Sequence, residues 1–400
     1  MIVLVINNGS TSSRFSIIDP EKNILLASGG AENIGTSSSY YKYENYRGDK
    51  EKVKVNIKNY DEALTMMMTY ILSNNLGVIN SIKDIDVIGH RVVHGGEKYT
   101  KATFIDDGVL KDIQDLSVLA PLHNMKAVET ISNCQAKFSG IDNIAVFDTA
   151  FHSTIPKENY LYAISKELYE KYKIRKYGFH GTSYSYVLNR YIDITKKAKD
   201  TTNVVMCHLG GGCSMCAVKN GKSFDTTMEY TPLSGLIMAS RSGSVDPSII
   251  PYIMKIYNIT ADEVIDILNN KSGYLAMCGE KDAKAIVDRS LSGDKDALFL
   301  RSMSNYNFKK YLMSMLANLE SVDSIIMTGG MSAKNKEQRE LFLSNLSQFG
   351  ILLDRDKNND VFDTEAIISS EKSNIPIYVI PTDEEKEIAN QCKKLIMKRN

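Results

Sequence analysis

Apolar residues in this chain come in short runs, not in one long stripe. Residues 2–28 open with IVLVI, break at a Gly/hydroxyl turn (NNGSTSS), resume as RFSIID, turn through PEKN and end in ILLAS. Residues 203–227 repeat the plan as NVVMC, HLGGGC, SMCAVK, the pair Asn220-Gly221, then SFDTT. Short apolar runs bounded by turn residues read as strands. Asn-Gly between two of them is a strong hairpin signal. Each half of the chain is therefore expected to open with an antiparallel meander whose first turn presents backbone N–H groups to an anion.

Between these units, strand-like runs (DVIGHRVV, NIAVFDTA, SIIMTGG) alternate with helical spacing over 60–75, 123–134, 157–172, 247–257, 261–268 and 297–319. The tail 383–398 is helical in spacing, and the Asp/Lys/Asn-rich stretch 354–360 reads as a surface loop. This alternation predicts an α/β fold. The duplicated meander predicts two related domains around a central cleft.

Composition narrows the function. At 400 residues the chain exceeds one ordinary domain. Lys+Arg and Asp+Glu are 48 each, so the formal net charge is zero. That balance argues against a nucleic-acid partner, but leaves room for a few cations around one small anion. No apolar stretch approaches the roughly 18 residues that span a bilayer, and MIVLVINNGSTSSRF lacks the basic segment of a signal peptide. Six cysteines in so long a chain read as reduced thiols. Cys213-x-x-Cys216 has no second pair or His cluster to complete a metal site.

Several polar clusters interrupt apolar strands. Asn7 to Arg14 places four hydroxyls and a cation in one turn, suited to phosphate, with a plain hairpin loop as the alternative. It is not a Walker loop, since GxxxxGK[ST] does not stand there. Gly89-His90-Arg91-Val92-Val93-His94-Gly95-Gly96 carries an arginine within a strand, and a buried Arg91 requires an anion, protein carboxylate or ligand. His123 opens a helix in Ala120-Pro121-Leu122-His123-Asn124, where it either caps or meets an anion. Asp148 ends a strand, a position for a Mg²⁺-binding or ligand-binding carboxylate or for a helix cap. Glycines flank His180 in Tyr177-Gly178-Phe179-His180-Gly181, and Arg241 stands in Ser240-Arg241-Ser242-Gly243, before a helix expected from Pro247.

These motifs together resemble the acetokinase family, the acetate, propionate and butyrate kinases. The resemblance runs from residue 1 to about 390 and rests on VINNGSTSSRFSI, GHRVVHGGEKYT, APLHN, AVFDTAFH, RKYGFHGTS, HLGGGCS, FDTTMEYTPLSGL, SRSGSVDPSIIPY and VIPTDEE. It implies a cytoplasmic homodimer with two duplicated RNase-H-like domains of the actin / sugar-kinase ATPase type. Residues 1–150 with 385–400 would form the first domain. Residues 151–384 would form the second, carrying the donor side and the dimer interface. It further implies reversible, Mg²⁺-dependent transfer (Mn²⁺ as an alternative) between ATP and acetate, giving ADP and acetyl phosphate. Arg91 and Arg241 would hold the carboxylate and the transferring phosphoryl group, and His180, supported by His123, would stabilise the transition state. Asn7, Asp148 and Glu384 would organise the metal. Val93, Leu122, Phe179 and Pro232 would line the pocket for the methyl group. Valine at 93 suggests acetate over propionate, although one methylene discriminates only about 10–200-fold.

On the donor side the resemblance assigns Ser10, Ser12, Arg14, His208, Gly210, Gly211, Gly212, Asp282, Lys284, Gly329, Gly330, Met331 and Asn335 to phosphate and nucleotide. Departures from the family gather there. Gly211 replaces an Asn, Lys284 an Arg, and Thr328 to Asn335 replaces the family's TxGIGEN and is one residue longer; Tyr184 stands for a second His. Three readings follow: an ATP-dependent acetate kinase, a relative using another donor (pyrophosphate/orthophosphate or GTP) or propionate, and a non-catalytic acetyl phosphate binder.

Overall fold

The opening strand is apolar at every position because both of its faces are covered. In the computed structural model, which describes residues 1–9 and 11–399 but not the side chains of Pro121 and Leu122, Leu4 and Ile6 pack with Phe15, Ile17 and the helix Tyr60–Ile71. Val3 and Val5 face the other way, onto Ile388, Ala389 and Cys392 of the helix Glu384–Arg399. That helix lies close to its sheet because residue 89 is glycine. A Cβ there would stand 2.8 Å from both Cys392 Sγ and Ile388 Cγ2.

The chain divides into two units, residues 1–151 with 383–400, and 152–382. The first holds strands β1 (Val3–Asn8), β2 (Ser13–Asp19), β3 (Ile24–Glu32), β4 (Tyr40–Asn45), β5 (Lys50–Lys54), β6 (Val87–Val92), β7 (Thr103–Phe104) and β8 (Asp142–Phe147), in the order β5-β4-β3-β2-β1-β6-β8-β7. The second holds β9 (Val204–Leu209), β10 (Cys213–Lys219), β11 (Lys222–Thr226), β12 (Ser324–Thr328), β13 (Ala366–Ile367) and β14 (Ile377–Val379), in the order β11-β10-β9-β12-β14-β13.

Strand by strand the two sheets correspond. An antiparallel meander (β1-β2-β3; β9-β10-β11) is followed by two parallel strands (β6, β8; β12, β14) and an antiparallel edge (β7; β13). The fold is α/β, built from two units with the same strand plan. The β10–β11 turn has φ of 52° at Asn220 and 69° at Gly221, the two positive values that a type I′ hairpin turn requires.

Some sequence expectations need correction. The first sheet carries an additional hairpin, β4–β5, whose Tyr41, Tyr43 and Asn45 alternate inward. The helix expected over 157–172 is two, Lys157–Tyr160 and Lys166–Tyr172. It breaks because the Tyr160 carbonyl accepts from the Lys176 N–H instead of continuing a helix. The helix expected from Pro247 begins at Ile249, since Asp246 Oδ1 accepts from the Ser248 N–H and holds a turn ahead of it. Residues 354–360 are not simply a surface loop. They contain a helical turn, Arg355–Asn359, capped by Asp354, and Asn358 within it is buried.

Candidate functional site

In the first unit, three strand ends and one helix start converge on Arg91. Its Nε and Nη2 donate to Asp148 Oδ2 at 3.0 and 2.5 Å, and Nη1 donates to Asn7 Oδ1 at 3.1 Å. Glu384 Oε2 lies 3.9 Å from Nε. Asn7 Nδ2 in turn donates to Glu385 Oε1 at 3.1 Å. The ends of β1 and β6 supply Asn7 and Arg91, Asp148 follows β8, and the helix Glu384–Arg399 contributes both glutamates. Four residues separated widely in sequence, Asn7, Arg91, Asp148 and Glu384, thus form one cluster.

Its charge is not balanced. Burial opposes the charge on Arg91, and the Asp148 and Glu384 carboxylates outweigh that penalty. Burial, with Asp148 and Glu385 nearby, pushes the Glu384 carboxyl well above the usual range despite the pull of Arg91. Carboxylates exceed cations here.

Of the other first-unit residues expected from the sequence, Val93 is buried just past β6, and His123 is half-buried in the first turn of the helix Pro121–Lys137. The adjacent Asn124 fixes that turn, accepting from the His94 N–H and donating to the His94 and Ile113 carbonyls. The Leu122 side chain lies outside what is described. So does Ser10. The β1–β2 turn closes with the Gly9 N–H donating to the Ser12 carbonyl, while Arg14 leans outward to Glu32 at 3.0 Å and is 55% exposed.

The second unit gathers a different set. His180 holds the left-handed conformation (φ 59°) at the start of the helix Gly181–Thr195. Its ring stacks on His208 with centroids 4.1 Å apart. Gly212 completes the group: a Cβ on it would sit 3.2 Å from His180 Nε2 and 3.6 Å from Arg241 Nη1. Arg241 donates to the Pro232 carbonyl at 3.3 Å and has no carboxylate partner among the described residues. Burial weakens its hold on the proton. A half-buried guanidinium without a counter-charge, beside a histidine and a bare glycine turn, is an arrangement that binds an anion. Phe179 is buried next to His180, and its carbonyl accepts from the His152 ring.

Gly210, Gly211, Asp282, Lys284, Gly330, Met331 and Asn335 line one cavity of about 650 Å³ in this unit, along with Val287, Leu291 and Phe362. Gly329 adjoins it as the N-cap of the helix Gly330–Lys334. Asp282 and Asn335 also cap helices, accepting from the Ala285 and Gln338 N–H groups.

A model of the Acetokinase family matches residues 2–390. The chain belongs to this family. It is 43% identical over 398 residues to the acetate kinase of Caldanaerobacter subterraneus, and 44% to that of Thermoanaerobacterium thermosaccharolyticum, covering 99% of each chain in both cases. Among solved structures it is similar to the acetate kinase of Porphyromonas gingivalis (TM-score 0.92, 33% identity, 99% of both chains). It is also similar to a propionate kinase from Francisella tularensis (TM-score 0.91, 36% identity, 98% of both chains). As an acetokinase the protein is a kinase that transfers phosphate to a carboxylate. Three residues of these clusters were not expected from the sequence: Glu385, Ser214 and Arg339. Glu385 had a visible signal, the acidic run Asp383-Glu384-Glu385. The others are ordinary polar residues until the fold brings their partners.

Proposed function

We propose that this acetokinase catalyses reversible phosphoryl transfer between ATP and acetate, giving ADP and acetyl phosphate. The observation that carries this reading is the Arg241 guanidinium, held without a carboxylate beside His180 and Gly212. A carboxylate is ionised at neutral pH and needs no general base. The work of the protein is to neutralise and align two anions around an in-line transfer. Arg91 and Arg241 hold the carboxylate and the phosphoryl group, and His180, with His123 in support, donates to oxygens that gain charge in the transition state.

Among the described residues no three His, Cys, Asp or Glu side chains enclose a metal by themselves. The oxygens of Asn7, Asp148 and Glu384 nevertheless suit a hard divalent ion, and the excess of carboxylate seen in the raised Glu384 fits one. Asn7, Asp148 and Glu384 would hold Mg²⁺ there, partly through water, or Mn²⁺ in its place, and the ion would supply positive charge against the phosphate oxygens. By the family resemblance Val93, Leu122, Phe179 and Pro232 are assigned to the methyl group, and propionate is then the poorer substrate.

The cavity of about 650 Å³ lined by Met331, Val287, Leu291 and Phe362 favours a nucleotide donor over pyrophosphate, which has no base or sugar to fill apolar space. Ser10, Ser12, Arg14, His208 and the 210–212 turn are assigned to its phosphates.

Exposed apolar side chains on two helices of the second unit support a homodimer through that unit. They are Tyr252, Ile256 and Tyr257 on Ile249–Tyr257, and Phe299, Met303 and Tyr306 on Lys295–Ala317. Six unpaired cysteines suit the cytoplasm, and no described helix is long and apolar enough to cross a membrane. The test is consumption of acetyl phosphate with ADP, GDP or orthophosphate as acceptor. Turnover with ADP is expected, and turnover with orthophosphate alone would refute ATP as donor.

A further inference from the structure

Tyr184 and Ser214 stand behind His180, and no role in the reaction has yet been given to them. Both are fully buried. The Tyr184 hydroxyl lies 2.5 Å from Ser214 Oγ, and Ser214 Oγ lies 2.8 Å from His180 Nδ1. Tyr184 sits on the first turn of the helix Gly181–Thr195, and Ser214 on β10 opposite His208.

Each group in this row has few protons to give, which fixes its direction. A phenol has one proton, and burial keeps it on the oxygen, so that proton goes to Ser214 Oγ. Ser214 then accepts from tyrosine and directs its own single proton to the other neighbour, His180 Nδ1. An imidazole nitrogen that accepts carries no hydrogen, so in the neutral ring the proton sits on Nε2. Nε2 is the nitrogen beside Gly212 and Arg241. The opposite tautomer would aim a lone pair at phosphoryl oxygens and repel them.

Resting on the reading of His180 as a phosphoryl-facing group, we infer that Tyr184 and Ser214 are positioning residues that hold His180 in its Nε2–H tautomer, ready to donate to the transferring group. Neither touches substrate. The backbone helps: the left-handed conformation of His180 and the stacked His208 ring fix the plane in which that N–H points. The row also gives a physical reading of Tyr184, where the family's pattern has histidine.

Long-range ¹H–¹⁵N NMR on histidine-labelled protein reads the tautomer directly, with His180 assigned by its loss in His180→Gln. The wild type is expected to carry the proton on Nε2. Tyr184→Phe and Ser214→Ala are expected to show mixed tautomers and a roughly tenfold lower kcat with little change in KM for acetate. Ser214→Thr, which keeps the hydroxyl, retains the wild-type tautomer and rate. Adding Tyr184→Phe to His180→Gln costs no further activity. A proton on Nδ1 in the wild type, or unchanged spectra in Tyr184→Phe and Ser214→Ala, overturns the inference. An Nε2–H signal in a protein without acetate kinase activity would instead overturn the proposed function and leave the tautomer assignment standing.

Discussion

Arg91 places two of its nitrogens on a single oxygen of Asp148, at 3.0 and 2.5 Å, and turns a third to Asn7. Removing the charge of Asp148 should therefore harm both fold and reaction. Asp148→Asn is expected to lower acetyl phosphate formation by about 10²-fold or more. It should also destabilise the first unit by about 3 kcal/mol, because the guanidinium loses its main counter-charge. Activity assays and urea unfolding check the two effects separately.

Among the described residues Arg241 has no such partner, so its replacement should divide differently. Arg241→Ala is expected to reduce kcat by about 10²-fold or more with little loss of stability, since no protein ion pair is broken. Wild-type turnover in this variant and in Arg91→Ala would remove both from the site.

Gly212 offers a sharper probe. Gly212→Ala would put a methyl group 3.2 Å from His180 Nε2 and 3.6 Å from Arg241 Nη1. A strong fall in kcat with a nearly unchanged Tm is expected, measured by steady-state kinetics and calorimetry.

Arg339 braces two walls of the cavity of about 650 Å³. It is fully buried and donates to the Asn358 side chain and to the carbonyls of Ser332, Ala333, Asn358 and Val361. It thereby ties the helix carrying Met331 to the segment carrying Phe362. Arg339→Met leaves several buried carbonyls unsatisfied and should cost about 3 kcal/mol or more. KM for the nucleotide should rise while KM for acetate holds, a split that kinetics with each substrate varied will detect.

His90, in β6, donates through Nε2 to Asn143 Oδ1 at 2.7 Å, and burial holds its pKa down to about 4. The unfolded chain takes up that proton near 6.5. Between those values the unfolded state binds more protons, so stability is full above about pH 6.5 and declines as the pH falls towards 4. The loss should reach about 3 kcal/mol. Chemical unfolding across that range should show the slope, and His90→Gln should flatten it.

What could be read from the sequence was whatever lies close along the chain. The meanders were legible because Asn220-Gly221 and the runs around 2–28 and 203–227 encode strand and turn locally. The acetokinase motifs carried Asn7, Arg91, Asp148, His180, Arg241 and Glu384 by resemblance. What escaped depends on pairing at a distance. The β4–β5 hairpin is stabilised by Tyr41 and Tyr43 packing on the helix Tyr60–Ile71, which no local pattern announces. The break after Tyr160 depends on Lys176. Ser214 and Tyr184 gain meaning only when β10 meets the helix that starts behind His180.

The helix Glu384–Arg399 has a consequence in time as well as in space. It seats Val3 and Val5 and delivers Glu384 and Glu385, yet it follows the whole second unit in the chain. During synthesis the second unit can be complete while β1 still has one face bare. The acidic half of the Arg91 cluster is then the last part to arrive, so a nascent chain holds the arginine before it holds all the carboxylates that discipline it.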